Sequence, residues 1–210
     1  MAVTDQDQVL DTVGELAQVL RSEETLQTTL QRIVDLATAV VEHGDGVSVT
    51  LFENGRPTTA ASSDAFVVDL DRAQYRAGDG PCLCALEDGK PILVSSTAHD
   101  DRWPAYSRSA VSAGVHSSLS LPLVAGEAAV GALNVYSCTV GAFKDAKHQT
   151  TASMFAEHAA VALANAQAFE AERSLAVALQ RTLLPQRLPD VDGVAIAARY
   201  LPRSSGQSRR

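Results

Sequence analysis

The chain has no run of about 18 apolar residues, so no segment is expected to span a membrane. It has no excess of positive charge. Its 17 Lys and Arg stand against 25 Asp and Glu, for a net charge of -8. Phosphate backbones are held by basic faces, so a nucleic-acid binder is excluded. Arg199, Arg203, Arg209 and Arg210 gather at the end and read as a solvated tail. The opening Met1 to Gln8 is polar and acidic, with no basic then apolar stretch of a signal peptide. A cytoplasmic location follows as the expectation. Cysteine is scarce: Cys82, Cys84 and Cys138 are an odd number, so reduced thiols are expected. A G-x-x-x-x-G-K-[ST] phosphate loop is absent, as is a G-x-S-x-G nucleophile elbow. Ser, His and Asp occur without a spacing that singles out a triad.

Apolar residues are what the chain does have, at 46%, enough for a core. Their spacing sets the expected elements. Leu10, Val13, Ala17 and Leu20 form one stripe of a first helix. Ser22 reads as the cap of a second, with Leu26, Leu30, Ile33, Val34, Ala37 and Val41 on one face and Gly44 at its end. The period then becomes two. Val47, Val49 and Leu51 alternate with Ser48, Thr50 and Phe52, as in a half-buried strand. Asn54-Gly55 signals a hairpin and residues 56–61 the returning strand. Further strands are expected at Pro91 to Ser95, Ser117 to Val124 and Val130 to Tyr136, the last two joined by a turn at Ala125-Gly126-Glu127. Between them, Asp71 to Gly89 mixes helix and loop. Short helices are expected from Cys82 to Glu87, after Pro81, and from Ala105 to Ala113.

From Asp145 to Pro185 the helical period returns. Phe155, Ala159, Ala162, Ala166 and Phe169 recur at four and three residues. About 40 residues at about 1.5 Å each reach about 60 Å, more than a domain of this size covers. A homodimer is therefore expected, with those five residues at its interface. The whole reads as an α+β fold on a single antiparallel sheet. The terminal helices pack on one face, and Phe66 to Ala113 covers the other as the roof of any pocket.

Four stretches resemble the GAF family. They are Gly78-Asp79-Gly80-Pro81-Cys82-Leu83-Cys84-Ala85-Leu86, the strand around Leu121-Pro122-Leu123, the run Gly131-Ala132-Leu133-Asn134-Val135-Tyr136-Ser137 leading to Gly141-Ala142-Phe143-Lys144-Asp145, and the helix with Phe155-Ala156-Glu157-His158-Ala159-Ala160. They stand in the family's order over Glu24 to Ala171. The resemblance implies a sensory or regulatory domain. A second resemblance covers Ala176 to Pro202, which is similar to the start of PPM-type serine/threonine phosphatase domains related to the sporulation and stress-response phosphatases. GAF sensors are common upstream partners there, which implies a phosphatase and anti-sigma signalling setting. The carboxylates that hold that family's paired metal ions do not follow Arg203. A shortened relative that kept the sensor and lost the catalytic domain is the expectation.

Five residues are candidates for ligand binding: Cys82, Trp103, Tyr106, His116 and Asn134. Trp103 and Tyr106 offer apolar area with a polar tip. As a haem ligand His116 would need to point into a roomy pocket, as haem-binding GAF sensors arrange, and haem is not expected. His99 lies in an acidic loop with Asp100 and Asp101, read as exposed charge. Asn134, Phe143 and Asp145 echo the cyclic-nucleotide pattern of some GAF domains. Val135 and Ala146 replace its Lys and Glu, so that ligand is not expected. Cys82 loosely matches the catalytic cysteine of free methionine-R-sulfoxide reductases, which are also GAF proteins. The pair Cys82 and Cys84 lacks the further ligands of a structural zinc site.

The expected organisation is a first helix over 1–21, a GAF domain over 22–171, a signalling helix and linker over 172–190, and a shortened phosphatase-like start over 191–210. The expected function is a dimeric, non-enzymatic sensor that binds a small molecule or partner and controls a phosphatase output. It needs no known cofactor and no metal. The alternatives are a thiol-dependent reductase acting through Cys82 and a dimer scaffold without a ligand.

Overall fold

A computed structural model describes residues 25–53, 55–126 and 128–183. The expected first helix, the Ser22 cap and the phosphatase-like stretch beyond Leu183 lie outside the described residues. Helix α1 (Leu26–Val40) begins after Thr25, whose Oγ1 accepts the Thr28 N–H at 3.2 Å. It ends before Gly44 is reached.

Strands β1 (Gly46–Glu53) and β2 (Arg56–Ser62) pair with Glu53 opposite Arg56, so a two-residue loop joins them. Gly55 supplies its left-handed φ of 77°, as the hairpin signal required. Three helices follow: α2 (Ala65–Ala77), α3 (Pro81–Asp88) and, after the short strand β3 (Ile92–Val94), α4 (Pro104–Ser112). Asp64 caps α2 by accepting the Phe66 N–H. Pro81 and Pro104 open α3 and α4 at the position where a missing N–H costs nothing. Strands β4 (Ser117–Ala125) and β5 (Ala128–Ser137) are joined by a two-residue loop, and α5 (Ala146–Leu183) follows.

The five strands form one antiparallel sheet in the order β2-β1-β5-β4-β3. Gly131 lets β5 approach β1. A Cβ there would stand 2.7 Å from the Thr50 carbonyl oxygen.

Both faces of the sheet are buried, and the alternation assigns each residue to one. Val47, Val49, Leu51, Leu119, Leu121, Leu123, Leu133 and Val135 join α1 and α5 in the main core. Phe155, Ala159 and Ala162 complete that core from α5. This corrects the expected interface. Phe155 and Ala159 are 0% exposed, Ala162 2% and Ala166 8%, so they are taken up by this chain's own packing. Phe169 alone of the five is exposed. A helical stripe needs an apolar partner, and here the sheet is that partner.

The second face carries Val67, Leu70, Val94, Trp103, Tyr106, Ala110, Val115 and Tyr136 in a smaller apolar cluster under α2 and α4. The expectation that Phe66 to Ala113 covers this face holds. Asp71 to Gly89 mixes helix and loop as expected, with the end of α2 and the whole of α3 on either side of residues 78–80, and α2 itself begins earlier, at Ala65.

Two compact units divide the chain, residues 1–170 and 171–210. In the second, Leu175, Val177 and Leu179 of α5 are exposed. Among the described residues no helix is long and apolar enough to cross a membrane.

Candidate functional site

The second face of the sheet is polar where it meets α2 and α3. Ser48, Thr50, Ser118, Ser120 and Asn134 alternate with the core residues of their strands, yet none is more than 1% exposed. Polar groups taken from water must find partners. They find them in one another and in α2, which turns Asp71, Gln74 and Tyr75 toward the sheet.

The donors and acceptors order themselves around Asp71. The Tyr136 hydroxyl donates to Asp71 Oδ1 at 2.5 Å, and Thr59 Oγ1 donates to Oδ2 at 2.8 Å. Thr59, having used its hydrogen, accepts from Tyr75 Oη at 3.1 Å. Tyr75 Oη in turn accepts from Thr50 Oγ1 at 2.8 Å. Thr50 accepts from Asn134 Nδ2 at 3.0 Å and from the Cys82 thiol at 3.3 Å. One directed relay thus runs from Asn134 and Cys82 through Thr50, Tyr75 and Thr59 to a carboxylate. Gln74 steadies it, taking the Cys82 N–H at 2.8 Å and donating to Tyr136 at 3.4 Å. Asn134 Oδ1 and Ser120 Oγ, on residues paired across β4 and β5, have no hydrogen-bond partner among the described residues.

Burial sets the acidities. It pushes the Asp71 carboxyl up to about 6, against the hydrogen bonds from Tyr136, Ser48 and Thr59 that favour the anion. Burial, then the nearby Asp71 charge, pushes the Cys82 thiol up to about 12. Burial and the Asp71 charge also hold Tyr75 and Tyr136 above the ordinary phenol range.

A cavity of about 460 Å³ opens beside this relay. Phe52, Pro57, Tyr75, Gly78, Leu83, Leu86, Glu87 and Ala129 line it. The walls are mostly apolar, with the Tyr75 phenol and the Glu87 carboxylate as polar points. Tyr75 belongs to both the cavity wall and the relay. Leu83 and Leu86, three apart on α3, face the space together.

None of the five residues expected to bind ligand lines this cavity. The structure gathers Cys82 and Asn134 in the relay. Tyr106 donates to Ser118 at 2.7 Å in the adjoining buried layer. Trp103 packs in the smaller apolar cluster, with the Arg102 guanidinium 4.2 Å from its ring centre. His116 stands apart at the start of β4, where its backbone N–H bonds the Ser137 carbonyl and its carbonyl accepts the Thr97 N–H. The residues that sequence reasoning missed are Asp71, Gln74, Tyr75, Leu83 and Leu86. The one signal for them is the i, i+3, i+4 spacing of Asp71, Gln74 and Tyr75 on a segment that also carries Val67 and Leu70.

A thiolate nucleophile needs a lowered pKa and access. Cys82 has neither: it is 0% exposed and donates its own hydrogen. Cys84 is half-buried, Cys138 is exposed, and all three cysteines are free.

The sequence matches the family model described as the GAF domain over residues 20–164. No curated protein matches it. Solved structures do. The GAF domain from an Acinetobacter phosphoenolpyruvate-protein phosphotransferase is 17% identical, with 76% of this chain and 94% of that one covered and a TM-score of 0.57. Its counterpart from Coxiella burnetii is 17% identical over 78% of this chain and 97% of that one, TM-score 0.57. The free methionine-R-sulfoxide reductase from Neisseria meningitidis, solved with its substrate, is 17% identical over 83% and 96%, TM-score 0.59. At these identities the likeness is one of fold, and a fold hosts many functions. The family model, matching well over half of the residues, places the chain: it belongs to the GAF domain family.

Proposed function

We propose that this chain is a sensor module that holds a small, largely apolar molecule in the cavity between the β1–β2 hairpin, α2 and α3. The observation that carries the reading is the place of Tyr75, which lines the cavity and also sits in the middle of the relay to Asp71. About 460 Å³ suits a small-molecule site of this kind. A ligand that touches Tyr75 would shift the hydroxyl chain beneath the sheet, and binding would favour one arrangement of that chain.

The module acts by binding, without turnover, because the buried Cys82 thiol is no nucleophile at neutral pH. The output we propose is a PPM-type phosphatase in a stress-response pathway, on the likeness of Ala176 to Pro202 to the start of such domains.

The test of the pocket is a thermal-shift screen of small apolar compounds carrying one amine or hydroxyl. Hits should raise the melting temperature of the wild type. They should raise that of Leu86→Trp less, because the larger ring projects into the cavity and narrows it. Hits that stabilise both proteins equally would place binding elsewhere.

The dimer we propose uses the side of α5 that the core leaves out. Met154 and Val161 lie seven residues apart on that side, 46% and 47% exposed. The double change Met154→Glu, Val161→Glu should convert a sedimenting dimer to a monomer with unchanged circular dichroism. A dimer that persists would remove this face.

A further inference from the structure

We infer that Glu42, His43 and His148 form a binding site for a divalent transition-metal cation of the zinc class, on the side of the molecule where the end of α1 meets the start of α5. Glu42 and His43 follow α1, and His148 stands in the first turn of α5, 106 residues from Glu42. One ligand atom from each of the three lies within 4.8 Å of the others. Two imidazoles and a carboxylate are a donor set that zinc accepts, with a further position left open.

The hydrogen-bond chemistry of His148 asks for a positive charge at this point. Its Nδ1 lies 3.1 Å from the Ala142 carbonyl oxygen. A carbonyl only accepts, so Nδ1 carries the hydrogen. Its Nε2 lies 3.0 Å from Glu42 Oε2, which is also an acceptor. A neutral imidazole has one N–H and has already used it. The Nε2 lone pair therefore points at the carboxylate, and a cation placed between them would be held by both. His43 stands beside them, its ring in edge-to-face contact with that of His148 at 5.3 Å between centres. A cation engages all three.

The surroundings agree. A histidine that ligates a metal usually donates its other nitrogen's hydrogen to a carbonyl or carboxylate, which fixes the ring. Ala142 does this for His148. Donor atoms around tetrahedral zinc are about 3.3 Å apart. The Nε2 to Oε2 pair is already near that value, and Glu42 and His43 are exposed side chains able to close the remainder. The site also follows the C-terminal end of α1, where backbone carbonyls favour a cation. Such an ion would clamp the chain after α1 to the first turn of α5. The inference does not rest on the ligand cavity, which lies under α2 and α3 with other residues.

The experiment is calorimetric titration of zinc chloride into the whole chain after chelator treatment, on a Cys138→Ser background that removes the exposed thiol. Cobalt absorption serves as a second reading of the ligands. The expected result is one cation per chain, bound at least about tenfold more weakly by Glu42→Gln and by His43→Ala. Both side chains are exposed, so both variants should keep the wild-type circular dichroism and melting temperature in chelator. A visible cobalt spectrum should fade in the same variants. No zinc binding, or binding that neither substitution weakens, would overturn the site and leave His148 and Glu42 as an ion pair.

Discussion

Phe155→Ala is expected to lower the free energy of unfolding by about 3–5 kcal/mol, the range for a large aromatic removed from a close-packed core. Phe155 is 0% exposed and sits among leucines and valines of the sheet and alanines of its own helix. The alanines beside it on the helix are too small to reach into the gap. A loss of this size is a large part of a domain's usual stability of about 5–15 kcal/mol. Urea unfolding followed by fluorescence and circular dichroism measures it. The same experiment separates core from interface. Loss of a core contact shifts the midpoint equally at all protein concentrations. Loss of a subunit contact would make the shift depend on concentration. The burial of Phe155 within this chain predicts the first.

Asp71→Asn is expected to abolish a specific dependence of stability on pH. The Asp71 carboxyl is raised from 3.8 to about 6 in the folded protein by burial. Unfolded, it titrates near the ordinary value. Between those two values the folded state binds the proton and the unfolded state does not. The stabilisation is therefore fully present below about pH 4 and is lost as the pH rises through about 6. Two pKa units correspond to about 3 kcal/mol. The groups that face Asp71 are hydroxyls, Tyr136 and Thr59 by direct contact and Ser48 beside them, together with the neutral Cys82 and Tyr75. No lysine or arginine is among them, so the hydrogen bonds from Tyr136, Ser48 and Thr59 offset only part of the cost of the buried anion. The difference in unfolding free energy between wild type and Asp71→Asn, taken from pH 4 to 7.5, isolates this group from the other carboxylates. It should change by about 1.4 kcal/mol per pH unit at its steepest. A difference that stays flat across that window would mean that Asp71 titrates normally and that the relay does not end on a carboxylate shielded from water.

The relation between sequence and structure is clearest along the strands. Val47, Val49 and Leu51 announced a strand with one apolar face, and Leu119, Leu121, Leu133 and Val135 extended that face across the sheet. The other face was legible only as polar. Ser48, Thr50, Ser120 and Asn134 look like residues that meet water, and strand periodicity cannot distinguish water from a polar helix laid over the sheet. That helix, α2, was itself hard to see. Its inward side mixes Val67 and Leu70 with Asp71, Gln74 and Tyr75, so it lacks the uninterrupted apolar stripe by which a covered helix is known. The candidates for ligand binding were chosen by side-chain type, which selected Trp103, Tyr106 and His116. The cavity is made instead by residues distant in sequence, Phe52, Pro57, Tyr75 and Leu86, which only the fold brings together. The stripe on α5 is expected at a dimer interface, whereas four of its five residues are buried within this chain, because periodicity says that a face is covered and not by which chain. Glu42 and His148 are equally invisible as a pair until α1 and α5 come together.

The most direct test of the account is retention of a ligand by the cavity. The wild-type chain and Leu86→Trp would be dialysed to equilibrium against the same small-molecule metabolite extract, and the compounds enriched on each identified by mass spectrometry. The account predicts at least one apolar compound concentrated more by the wild type than by Leu86→Trp. Identical profiles on the two proteins, or no compound enriched by the wild type, would contradict it.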